Sequence, residues 1–220
     1  MTFSSVIRVV NGKSFLFITY THFGTTKAWK TEVRQCPSYS VDKSGRFRPQ
    51  GNDKIALCSP DDGITPSRVL FDFDTGKPVK TETHLNGLLH SFNDHPAITT
   101  YKIGGGVNSM QWYSHGVRHR ERGPAHVYDT TTTTCKLWIR HSLPFRHAHK
   151  PTTMEYDKTT GAILSKSWIL PRPDGVISIR FNKEKEPSEI TALSEKEERS
   201  FQIKWDSRPI YEIDTDEYDD

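Results

Sequence analysis

Three things are scarce in this sequence: cysteine, apolar residues and long apolar runs. Cys36, Cys58 and Cys135 stand alone, with no C-x-x-C spacing. That argues against a disulfide framework and a cysteine zinc site, and fits reduced, buried thiols. Hydrophobic residues make up 34% of the 220 and the mean hydropathy is -0.67, so any core is thin. No stretch approaches the roughly 18 apolar residues that a spanning helix needs, and the run Phe15–Tyr20 is far shorter. No charged-then-apolar leader opens the chain, so the expectation is a soluble, unprocessed, cytoplasmic protein. There is no G-x-S-x-G elbow, P-loop or H-E-x-x-H, and few carboxylates lie among the histidines. The expectation is therefore no enzyme, no catalytic residues and no cofactor.

The net charge of +3 hides an asymmetry. Residues 182–220 hold 6 Lys/Arg against 13 Asp/Glu, a net of −7, which leaves 24 against 14, or +10, in residues 1–181. A basic body with an acidic end points toward a polyanionic partner, although a merely solvated tail has the same composition.

What the sequence does have is a period of about 28 residues. Trp112, Trp138 and Trp168 are spaced by 26 and 30. Phe73, Tyr101, Tyr128 and Tyr156 are spaced by 28, 27 and 28. Pro66, Pro96, Pro124 and Pro151 are spaced by 30, 28 and 27. In each unit a Pro-led segment ends on an aromatic, as in Pro96–Tyr101, Pro124–Tyr128 and Pro151–Tyr156. Turn-prone residues follow: Asp74-Thr-Gly-Lys-Pro78, Ile103–Asn108, Asp129 with five threonines, and Asp157–Gly161. A second strand then reaches tryptophan, over Ser109–Tyr113, Cys135–Ile139 and Ile163–Leu170. Two β-prone segments around a turn make a hairpin, and stacked hairpins bury their aromatic rows together. The pattern predicts an all-β fold, a tandem β-hairpin repeat array forming a meander or solenoid-like sheet over residues 67–181.

The connector between units is the most distinctive segment: Trp112-Tyr-Ser-His-Gly-Val-Arg-His-Arg-Glu-Arg-Gly-Pro-Ala125. It resembles the MORN-like repeat of phage and giant-virus proteins, W-Y-x-N-G-x-x-H-R-x-x-G-P-A. His115-Gly116 stands for Asn-Gly, while His119-Arg120 and Gly123-Pro124-Ala125 match directly. The preceding copy, Asn86 to Ala97, keeps Asn86-Gly87 and His90 but has Ser91 for arginine. The following copy, Trp138 to Pro151, has Arg146-His147 in reversed order, lacks the glycines and is a residue longer. Val41–Gly45 after Pro37 reads as a still weaker copy. The resemblance covers about residues 67–170 and implies a hairpin array in a virus-encoded protein, with no catalytic chemistry attached to the repeat. It names no partner.

Nine of the ten histidines lie between His84 and His149, among many arginines. His115 and His119 have H-x₃-H spacing and His147 and His149 form a close pair, but no further ligands complete a zinc set and the arginines oppose a cation; no metal site is expected. The connector residues His90, His119 and His147 can instead fix turns by bonding free backbone carbonyls. Arg118, Arg122, Arg140 and Lys150 are surplus to the repeat consensus, and arginine's planar fork suits phosphate. The candidate nucleic-acid-binding residues are Arg118, His119, Arg120, Arg122, Lys136, Arg140, Arg146, His147, His149 and Lys150. Tyr113 and Phe145 offer faces for stacking bases. A solvated basic edge would have the same composition.

Outside the array, residues 1–66 predict N-terminal capping strands at Val6–Val10, Ser14–Tyr20 and Lys54–Cys58, with a tight hairpin at Asn11-Gly12. Residues 182–220 predict a short charged helix over Pro187–Ile190 and Leu193–Arg199, a strand at Phe201–Trp205 and an acidic tail from Glu212; a strand over Asp174–Phe181 precedes them. Two functions follow as expectations. One is a non-enzymatic, phage-encoded factor engaging host RNA or a ribonucleoprotein such as the ribosome through the Arg/His face. The other is a protein-binding antagonist or immunity-type module that occludes a host or phage protein. Neither involves a membrane.

Overall fold

The computed structural model describes residues 2–35, 39–41, 47–49, 56–60, 65–146, 150–169, 176–181 and 187–192. These residues are strands, bridges and turns, with no helix among them, so the all-β expectation holds. The chain divides into two compact units, residues 1–118 and 119–220.

In the first unit, β1 (Thr2–Val10) and β2 (Lys13–Thr21) form a hairpin closed by Asn11 and Gly12, both left-handed at φ 50° and 74°. That is the turn whose twist matches the strands. Next come β3 (Ala28–Gln35), the short pair β4 (Tyr39–Val41) and β5 (Phe47–Pro49), β6 (Arg68–Phe71) and β7 (Pro78–Glu82). They are followed by β8 (His84–Leu85), β9 (Leu88–Leu89), β10 (Ile98–Tyr101), β11 (Val107–Gln111), β12 (Tyr113–Ser114) and β13 (Val117–Arg118). The unit's sheet runs β1-β2-β3-β6-β7-β10-β11, antiparallel at every pairing. Phe15, Val33 and Cys58 are buried together, with Val10, Phe17 and Leu85 against them. Burying a side chain such as Phe15 contributes about 2–3 kcal/mol over leaving it exposed.

The second unit contains β14 (His126–Asp129), β15 (Thr133–Leu137), β16 (Ile139–Arg140), β17 (Leu143–Pro144), β18 (Thr153–Asp157), β19 (Ile163–Ile169), β20 (Val176–Phe181) and β21 (Pro187–Ala192). Its sheet runs β14-β15-β18-β19-β20-β21, again antiparallel. Ala125, Cys135, Trp138, Ile139 and Met154 are buried here.

Two features recur through the chain. First, a small residue after proline is buried each time: Ser67, Ala97, Ala125 and Thr152 follow Pro66, Pro96, Pro124 and Pro151. The carbonyls of three of them accept from the strand end before a connector: Val33 N–H to Ser67 at 2.7 Å, Thr83 to Ala97 at 2.8 Å, Trp138 to Thr152 at 2.9 Å. Second, each connector is a miniature two-stranded hairpin, β8–β9, β12–β13 and β16–β17. The turn pairs Asn86-Gly87, His115-Gly116 and His141-Ser142 all have positive φ.

These hydrogen bonds revise the alignment of the last connector. Phe145 N–H donates to Trp138 O as His90 N–H donates to Thr83 O, each at 3.1 Å. Phe145-Arg146 therefore stand where His90-Ser91 stand in the first unit, and His147 lies outside the described residues. The same pattern exposes an earlier connector. Cys58 N–H donates to Val33 O at 3.1 Å, and the bridge Arg34–Leu57 stands where the others pair His84–Leu89 and Tyr113–Arg118. Between Arg34 and Leu57 the tight turn is replaced by residues 35–56, which include β4 and β5.

Three expectations are corrected. Pro187–Ala192 is a strand paired with β20, not the start of a helix. In Lys54–Cys58, the described part forms only the bridge at Leu57. Strand β3 had no counterpart in the sequence reading. Leu193–Arg199, Phe201–Trp205 and the acidic tail lie outside the described residues.

Candidate functional site

Two connector histidines, His90 and His119, each pack on the turn of the connector that follows. In the first unit, His115 N–H donates to His90 Nδ1 at 3.3 Å and the two rings lie 4.6 Å apart. In the second, His141 N–H donates to His119 Nδ1 at 3.3 Å with rings 4.4 Å apart. A nitrogen that accepts a backbone N–H carries no proton, so Nδ1 is the bare nitrogen of both neutral rings. Burial, then the neighbouring histidine, holds His90 and His119 below the ordinary histidine pKa. These histidines accept from backbone N–H groups rather than donating to carbonyls, the reverse of the expected role.

The connector arginines do bond carbonyls. Arg120 Nη1 donates to Pro124 O at 3.1 Å, and Arg146 Nη1 donates to Pro151 O at 3.3 Å. Arg146 also stacks on Trp138, its Cζ 3.8 Å from the ring centroid. Both guanidinium groups tie the connector to the proline that opens the next hairpin.

The surplus cations differ. Arg118, in the first unit, bonds Gln111 Oε1 at 2.8 Å and Tyr113 Oη at 3.2 Å. In the second unit, Arg140 donates to Glu121 O at 2.8 Å and its Cζ lies 4.9 Å above Phe145, whose ring is exposed. Arg122 is exposed and Lys150 half-buried. Lys136 is not on the connector: it sits on β15 with Nζ 4.7 Å over the Tyr156 ring. His147 and His149 lie outside the described residues. Residues 119–150 carry six Lys/Arg against two Asp/Glu. Among the described residues no group of three or more His, Cys, Asp or Glu is placed to hold a metal ion. No described helix is long and apolar enough to cross a membrane.

A second cluster, in the first unit, was missed by the sequence reading. Glu32 is 3% exposed and bonds Lys30 at 3.1 Å and Arg34 at 2.8 Å, with Arg68 Nε 3.5 Å away. Arg68 continues to Glu82 at 3.0 Å, and Lys80 bonds Glu82 at 2.7 Å. Burial alone would raise the pKa of Glu32, but hydrogen bonds from Arg34 and Lys30 outweigh it and hold it at about 2. Beside this network Ser67 Oγ lies 2.6 Å from His84 Nδ1, and His84 Nε2 lies 3.9 Å from Glu82. The trio has the composition of a nucleophile, base and acid, but Ser67 is 0% exposed, so no substrate carbonyl reaches it. Its hydroxyl also bonds Glu82 O at 3.0 Å, in the place after proline where Ala97 and Ala125 stand further along the chain. The signal was present in the sequence as period-two alternation, Lys30-x-Glu32-x-Arg34 and Lys80-x-Glu82-x-His84, which sets these residues on one sheet face.

No family model matches this chain, and no curated protein or solved structure matches it.

Proposed function

We propose that the chain is a MORN-like tandem β-hairpin repeat protein, encoded by a phage, that acts without catalysis by binding host RNA or a ribonucleoprotein such as the ribosome. The observation that carries this reading is the Arg140–Phe145 pair, a guanidinium over an exposed ring, with exposed Arg122 next to Glu121, whose carbonyl Arg140 bonds. An aromatic face stacks an unpaired base and arginine forks phosphate, which is the usual chemistry of single-stranded RNA recognition. Arg120, Arg146 and His119 hold the connectors that present them. The virus assignment rests on the sequence resemblance alone.

The test is fluorescence anisotropy with single-stranded RNA across a salt series. Affinity should fall steeply with log salt, and Arg122→Ala with Arg140→Ala should weaken binding and flatten that slope by about two phosphate contacts. Phe145→Ala should weaken binding with the slope unchanged. If the double arginine variant binds like the wild type, the RNA reading is lost.

A protein-binding antagonist is the second reading, favoured by a separate observation. Leu88, Val117 and Leu143 each follow a connector turn and are exposed. An exposed apolar residue recurring at the same place in three connectors is what a protein partner would cover. Capture from host cells with and without RNase distinguishes the two: RNase releases an RNA-dependent partner and leaves a protein antagonist's target bound.

A further inference from the structure

Strand β1 is the edge of the first unit's sheet, and it lacks the usual devices that keep edges apart. It pairs with β2 continuously from Thr2 to Val10 with no bulge, and holds no proline and one charge, Arg8. Among the described residues nothing pairs with its outer side. Phe3, Val6 and Val9 on this strand are 71%, 46% and 66% exposed. Long, unbulged edges that expose apolar side chains template further pairing.

The turn fixes which groups the edge offers. A two-residue loop makes Val10–Lys13 the closing hydrogen-bonded pair, so Arg8, Val6, Ser4 and Thr2 address β2. The N–H and C=O groups of Phe3, Ser5, Ile7 and Val9 therefore point outward. We infer that β1 pairs antiparallel with β1 of a second copy of this chain, about a two-fold axis at Val6.

That register satisfies every constraint at once. Phe3 meets Val9 of the second copy and Ser5 meets Ile7, each as a hydrogen-bonded pair. Arg8 meets Ser4, so the two arginines never face each other. Centring the axis on Ser5 would set Val9 opposite position 1, outside β1, and centring it on Ile7 would set Phe3 opposite Asn11 in the turn. The contact is isologous and closes as a dimer.

Val6 would face its own copy in a non-hydrogen-bonded pair, the close-approach geometry of antiparallel strands. Val6→Cys should therefore form a disulfide-linked dimer with oxidised glutathione as oxidant, two thiols losing two protons and two electrons to it. Ile7→Cys, facing Ser5, should form none beyond the wild-type background. Sedimentation velocity at about 100 μM should show a dimer for the wild type and a monomer for Val6→Lys, with circular dichroism of the variant unchanged. A wild-type monomer, open-ended polymers, or equal cross-linking at positions 6 and 7 would overturn the inference.

Discussion

Glu32→Gln probes the ion network that holds β3 in its sheet. The carboxylate is nearly buried and held by Lys30, Arg34 and Arg68, and its pKa stands at about 2 against 4.5 in an ordinary glutamate. The folded state thus binds this proton more weakly than the unfolded chain does. Its contribution is complete above pH 4.5 and is lost as the pH falls through that range toward 2. The difference between those values corresponds to about 3 kcal/mol, reduced to about 2 kcal/mol because the partner cations are one-fifth to one-third exposed and screened by solvent. The assay is urea denaturation followed by tryptophan fluorescence, wild type against Glu32→Gln, from neutral pH to acid. Glutamine should destabilise the protein by about 2 kcal/mol at neutral pH, and the two curves should converge as the pH approaches 2. Curves that stay parallel over that range would show that Glu32 does not hold the network as its geometry requires.

Other expectations are equally specific. His90 and His119 have folded pKa values below 6.5, so the stability they contribute is complete above that value and is lost as the pH falls below it. His90→Phe with His119→Phe, copying Phe145 in the last connector, should flatten the denaturation midpoint between neutral and mildly acidic pH; an undiminished slope would assign it elsewhere. At Gly123, φ is +83° and an added Cβ would sit 2.9 Å from Arg120 Nη1, so Gly123→Ala combines backbone strain with displacement of the Arg120–Pro124 bond. It should cost about 2–3 kcal/mol in chemical denaturation, against about 1 kcal/mol for Gly76→Ala, where φ is +66° and nothing lies within 4 Å. Deleting residues 212–220, six of which are acidic, should tighten RNA binding at low salt; unchanged affinity would show that the tail does not screen the basic body.

Much of the fold could be read from spacing, because the same physical job recurs. Pro66, Pro96, Pro124 and Pro151 each precede a residue small enough to be buried, and Trp112 and Trp138 each pack where a strand gives way to a connector. Residues whose partners are distant were harder to read. Strand β3, Ala28-Trp-Lys-Thr-Glu-Val-Arg-Gln35, buries a glutamate that is compensated by Lys30 and Arg34 beside it on the strand and by Arg68 across on β6. The first connector shows in the sequence only as the weak copy at Val41–Gly45, because many residues separate Arg34 from Leu57 and Cys58 stands where His90 and Phe145 stand in later connectors. Pro187–Ile190 reads as helical from its charged surroundings, but Ile190 and Thr191 are β-branched and pair on β20. In the candidate site, the arginine count was legible but not its division. Arg120 and Arg118 look alike in sequence, and only the fold shows one bonded to a prolyl carbonyl and the other to Gln111 and Tyr113.

The expanded first connector shows that hairpin tips and sheet are separable. Arg34 and Leu57 keep their bridge although residues 35–56 stand between them in place of a two-residue turn. A tip can therefore be exchanged as a cassette while the rungs beneath it stay in register. An engineer can accordingly graft a recognition peptide between His141 and Ser142 without rebuilding the strands beneath.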